Sequence, residues 1–155
     1  MRAFVVSKYK TALHEAEMPE PIVGEHDVLV RVQAAGINQL DEKIRTGEFT
    51  AILPYRLPLI LGLDVAGTVV ATGAGVERFR VGDRVVGHAA GQEQHRNSSA
   101  EGAFQHQVLL LERVTTPVPD DLPVEQAAVL PLAVSTAAAG LFEPDQLALS
   151  LPTVE

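Results

Sequence analysis

The polar residues best placed for chemistry are few and grouped. Asn38, Asp41 and Arg45 follow Gly36-Ile37, and Asp64 follows Gly62. Asn38 and Asp41 fall at an expected strand-to-helix junction, and Asp64 at the entrance of the next expected strand. Taken alone, the group is accounted for by helix capping and ion pairing. Other groups of residues carry weaker signals. His88, Glu93 and His95 share one polar stretch and could hold a divalent ion, although their spacing matches no compact ligand motif. His14, His26 and His106 are scattered. Ser98-Ser99 lies near His95, but the chain has no G-x-S-x-G nucleophile elbow. Gly73-Ala74-Gly75 starts like a dinucleotide fingerprint, yet Arg78 stands where the third glycine belongs and no helix opening follows. A plain turn is the expectation there.

Elements around these residues follow from pattern. Residues 57–85 organise the chain: an apolar run at 65–71, a glycine turn, and a second turn at Gly82-Asp83 leading into Val85-Val86. This predicts two strands joined by glycine turns. Residues 2–7 predict a strand, with 11–18 as its hairpin partner. Residues 19–27 read as a turn-rich loop, and Val28, Val30 and Val32 alternate with polar or differently facing residues along a strand at 27–35. Asn38 is the expected N-cap of a short helix through Arg45, ended by Gly47. Residues 50–58 and the polar 87–102 read as loops, the second long enough to suggest function. Strand character resumes at 103–111, and 114–123, with three prolines, reads as a connector. One or two helical turns are expected at 124–130. Pro131 then opens an alanine-rich helix, apolar throughout and so expected to be buried on most sides. The fold class is therefore mainly β with short helices, a small, partly open barrel.

Composition narrows the function. The 155 residues suit one domain, or one domain and a fragment of another. A hydrophobic content of 46% supports a real core, and a net charge of −8 argues against a nucleic-acid partner. Without cysteine there is no disulfide and no thiolate zinc site. The N-terminal apolar run is too short for a signal peptide, and the nearly apolar run 129–142 too short to span a bilayer. A soluble, cytoplasmic protein without membrane contact is expected.

Three segments taken together resemble the medium-chain dehydrogenase/reductase superfamily. They are Gly36-Ile37-Asn38-x-x-Asp41-x-x-x-Arg45-x-Gly47-x-Phe49, then Leu57-Pro58 with Gly62-x-Asp64-x-Ala66-Gly67-x-Val69, then Gly75-Val76 through Phe79-x-Val81-Gly82-Asp83-Arg84-Val85. The resemblance implies the N-terminal GroES-like catalytic domain over residues 1–129. Residues 130–155 would be the linking helix and the start of a cofactor-binding Rossmann domain that is missing here, so a full member would be about twice as long. Zinc-dependent members carry cysteine, histidine and usually cysteine where this chain has Asn38, Leu63 and Leu132. Leu40 stands at the position of the proton-relay hydroxyl. The motif instead resembles the zinc-independent quinone oxidoreductases, and residues 102–111 and 127–142 also resemble fungal trans-acting enoyl reductases.

What the resemblance implies is hydride transfer from NADPH, without zinc, to a quinone or an α,β-unsaturated carbonyl. Asn38, Asp41 and Asp64 would be the catalytic residues. Asn38 would lie near the nicotinamide and Thr136 near its ribose, with Arg45 supporting the wall and Tyr55 a weak candidate proton donor. The isolated chain would be inactive and a homodimer is expected. The alternative is a free-standing GroES-like module for binding or assembly, dimerising through its apolar helix.

Overall fold

The computed structural model describes residues 1–51, 55–89 and 102–150. Besides a 3-10 turn at Glu112–Val114, the described residues form eight strands and three α-helices. They are β1 (Arg2–Val6), β2 (His14–Glu17), β3 (Asp27–Gly36), α1 (Gln39–Thr46), β4 (Leu59–Ile60), β5 (Asp64–Thr72), β6 (Arg84–His88), β7 (Gln107–Leu111), β8 (Thr115–Pro117), α2 (Val124–Ala127) and α3 (Pro131–Phe142). A three-stranded sheet has the order β2-β1-β4, and a five-stranded sheet the order β7-β3-β5-β6-β8. Every named pairing is antiparallel. An isolated bridge between Ala3 and Gln105 ties β1 to the segment before β7. The architecture is the expected mainly β, partly open barrel.

Alternation explains the core. Val28 and Val30 of β3, Val65 and Val69 of β5, Val85 of β6, and Val108 and Leu110 of β7 pack together with Phe79, all at most 5% exposed. Successive strand residues point to opposite faces. The other face of β5 and β6 therefore carries Asp64, Ala66, Val86 and His88. Ala66 packs there against Ala127 and Ala128 at the end of α2, while Val118 and Leu122 fill the edge. Register shifts at Leu29/Val30 and Val32/Ala34 bend β3 along its length.

Residues 65–71 and Val85-Val86 form the expected strands β5 and β6, paired as a hairpin. The α1 helix and its Gly47 C-cap, with φ of 81°, also match. Three expectations change. The proline-rich connector contains β8, an edge strand whose three residues end at Pro117. The strand expected at 103–111 is confined to β7. The apolar helix α3 has no buried residue, because burial needs a facing surface. Among the described residues, α3 meets the five-stranded sheet through β5 and β6, and Leu132 at its start packs against the cluster of Val6, Ile44 and Leu59. Counted with α2, the stretch Val124–Phe142 is 19 residues long and apolar enough to cross a membrane by length and composition, more than the 14-residue run suggested. Its beginning is nonetheless packed on the sheet, where Ala127 and Ala128 are buried.

Gly36 makes that packing possible. A Cβ there would sit 2.5 Å from the Ala128 carbonyl oxygen and 3.0 Å from Asp64 Cβ. Backbone cannot yield as a flexible side chain would, so a methyl group must push the α2–α3 junction off β3 and β5. Gly36→Ala is expected to cost about 1–3 kcal/mol, the usual range for overpacking, read by chemical denaturation. An unchanged midpoint would show that the junction is not seated against Gly36.

Candidate active site

The α1 terminus places the first two residues. Asn38 is the N-cap, and Asp41, three residues on, accepts a hydrogen bond at 2.8 Å from the Asn38 backbone N–H. The second Asp41 oxygen accepts from the Gly62 N–H at 3.2 Å. Asp41 thus clamps the loop before β5 to the start of α1. It is 4% exposed. Burial raises its carboxyl above the ordinary value. The nearby Asp64 charge pushes the same way, while the two backbone bonds and His88 oppose it.

Asp64 is the meeting point. As the first residue of β5 it lies opposite Gly36 of β3 and His88 of β6, and it is completely buried. Its Oδ2 accepts from Asn38 Nδ2 at 3.1 Å. Its Oδ1 accepts from the Leu132 backbone N–H at 2.9 Å and faces His88 Nδ1 at 3.3 Å. An ionised carboxylate only accepts, so His88 Nδ1 and Asn38 Nδ2 are the donors. Leu132 is the second residue of α3, where a backbone N–H has no partner within the helix and the helix dipole favours an anion.

Asn38, Asp41 and Asp64 are therefore brought together as expected from the sequence. Arg45 is not with them. It pairs with Glu42, both contacts at 2.6 Å, and donates to the Thr11 carbonyl, fastening α1 to the β1–β2 turn. The guanidinium holds the Glu42 carboxyl below its ordinary value. Thr136 is exposed on α3, one helical turn beyond Leu132 and outside the hydrogen-bonded group. Tyr55 packs at the edge of an apolar cluster, and burial raises its hydroxyl above the ordinary value. That cluster also holds Leu61, Leu63, Leu40, Ile44 and Leu132.

The sequence reading missed His88 and the Leu132 N–H. The sequence places His88 in a polar loop, alone or beside Glu93 and His95. It ends β6 instead, and Glu93, His95, Ser98 and Ser99 lie outside the described residues. Among the described residues, no group of three His, Cys, Asp or Glu could hold a metal ion. Gly73-Ala74-Gly75 is a turn, with Gly73 N–H bonded to the Asp27 carbonyl and Gly75 N–H to that of Glu25. A cavity of about 350 Å³ lies elsewhere, between Arg2, Phe4, Glu15, Phe104 and His106, and no residue of the Asp64 group lines it.

The chain belongs to the alcohol dehydrogenase GroES-like domain family, whose model matches residues 24–120. It is 47% identical over 152 residues to the dehydrogenase orf1 of Aspergillus niger, covering 98% of this chain and 43% of that protein. It is 42% identical over 119 residues to the lovastatin nonaketide synthase enoyl reductase component lovC of Aspergillus terreus, covering 77% of this chain and 31% of that one. Among solved structures, an alcohol dehydrogenase superfamily protein from Novosphingobium aromaticivorans superposes with a TM-score of 0.83 at 37% identity, over 97% of this chain and 43% of that one. Escherichia coli quinone oxidoreductase, solved with NADPH, gives 0.75 at 28% identity, over 94% and 41%. These are proteins of the medium-chain dehydrogenase/reductase superfamily. The chain spans 43% of the length of the first curated relatives it matches.

Asp41 supplies a direct check on the electrostatics. Its folded value is raised, so folding favours the protonated form. Its contribution to stability is fully present below the unfolded carboxylate value of about 3.9 and is lost as pH rises through the folded value. Carbon-detected NMR titration should give an Asp41 midpoint above that unfolded value. A midpoint at or below it would mean that the two backbone bonds outweigh burial.

Proposed function

We propose that this chain is the substrate-side domain of a cytoplasmic, NADPH-dependent oxidoreductase that works without zinc and reduces a quinone or an α,β-unsaturated carbonyl. One observation carries the reading. Asn38 is bound to the buried Asp64 beside an apolar wall that includes Leu40, Leu63 and Leu132. Leucine offers no lone pair to a metal, while a fixed carboxamide beside apolar side chains suits an uncharged, electron-poor acceptor.

The fit to NADPH is partial in a way that supports a division of labour. The nicotinamide end is uncharged in the reduced cofactor and tolerates the neighbouring carboxylates. The diphosphate would not, since the buried charged groups at the site are Asp41 and Asp64. Its phosphates would be held by protein beyond this domain, with Thr136 toward the ribose. When bound, NADPH supplies the hydride. The residues here would position the acceptor. Asn38 Nδ2 has two hydrogens, uses one on Asp64, and leaves one for the oxygen on which charge develops. Asp41 holds the Asn38 backbone so that this amide starts from a fixed point. The leucines keep water from the reacting carbon. The exposed Val134 and Leu141 of α3 support its burial against further protein, in the full enzyme or in a homodimer.

The gene product carrying this chain should oxidise NADPH with benzoquinone or an enone, leave saturated aldehydes untouched, and keep rate and melting temperature in excess EDTA. Absence of turnover with every such acceptor would instead favour a free-standing binding module. Loss of rate in EDTA would contradict the zinc-free assignment.

A further inference from the structure

His88 is a partly buried, titratable residue that the mechanism above does not use. Its side chain is 18% exposed and its Nδ1 faces Asp64 Oδ1 at 3.3 Å. The two Asp64 oxygens divide their partners. Oδ1 takes His88 Nδ1 and the Leu132 N–H, whereas Oδ2 takes Asn38 Nδ2. A carboxylate turns about its own bond, and Oδ1 must be held from two sides for Oδ2 to stay on Asn38. Leu132 holds it from α3. His88 holds it from the end of β6, the strand that registers Asp64 opposite His88.

We propose that His88 is a positioning residue, which acts through Asp64 to fix the orientation of the Asn38 carboxamide. This rests on the reading that Asn38 meets the hydride acceptor, but the orientation itself does not. With His88 in place, the carboxylate stays aligned and the Asn38 nitrogen, not its oxygen, faces Asp64. Without that donor, the buried carboxylate has an oxygen short of a partner. It then rotates to recover a bond, and Asn38 loses its fixed orientation.

Two variants separate donor from volume. His88→Leu fills the space without a donor. His88→Asn places an amide N–H close to where Nδ1 stands. In this 155-residue chain, the Asn38 side-chain amide is followed by proton–nitrogen NMR. His88→Leu should shift both Asn38 Nδ2 hydrogens and speed their exchange about five- to tenfold, the loss of one hydrogen bond, and His88→Asn should restore them. In the gene product carrying the chain, kcat with an enone should fall about tenfold in His88→Leu with KM within about twofold, and recover in His88→Asn. Unchanged Asn38 signals in folded His88→Leu would overturn the proposal. So would equal losses in both variants, because a structural role alone does not distinguish donor from volume. If the Asn38 signals respond while the wild type reduces no acceptor, His88 positioning stands and the oxidoreductase reading fails.

Discussion

A fully buried carboxylate is the constraint on which the rest of this domain depends. Removing an ionised group from water without partners is far costlier than a small domain can offset. Asp64 is tolerated because three donors reach it from three separate parts of the chain: the cap of α1, the end of β6, and the first turn of α3. None of these is its sequence neighbour. The carboxylate can be satisfied only if β3, β5 and β6 are in register and α2 has brought α3 to the sheet. Each donor lost leaves a deficit of about 1–3 kcal/mol, so the hub couples strand register to helix docking. Gly36 is part of the same arrangement, since the junction passes where its side chain would stand.

Two carboxylates lie close together and are handled differently. Asp64 receives one side-chain amide, one imidazole and one backbone N–H, and Asp41 receives two backbone N–H groups. Burial and the neighbouring Asp64 charge leave Asp41 with a raised affinity for its proton. The pair forms a polar core set against leucine. One side of the site is built for fixed hydrogen bonds and the other for an apolar surface, a combination suited to orienting a substrate with few polar atoms.

The sequence disclosed these features unevenly. Valine alternation exposes β3, because a strand buried on one face must alternate, and an apolar run ending in glycines exposes β5. The α1 helix was legible from its cap and from Gly47. Asn38 beside Asp64 was legible only through resemblance, since no local rule joins residues on different elements. His88 stayed hidden because its contact depends on the register of a hairpin whose turn spans residues 73–83, and nothing local fixes that register. Arg45 was placed at the site, but an acidic partner three residues away on the same helix holds it at the surface. In α3, apolar composition states that a surface must be covered and not that it is covered within these residues.

Amide hydrogen exchange at Leu132 tests the hub most directly. An N–H in the first turn of an otherwise exposed helix normally exchanges near the unfolded rate. If Asp64 holds it, this amide is protected to the level of the central β5 amides, and the protection disappears in Asp64→Ala. Exchange of Leu132 as fast as that of Ala133 in the wild type would contradict the account.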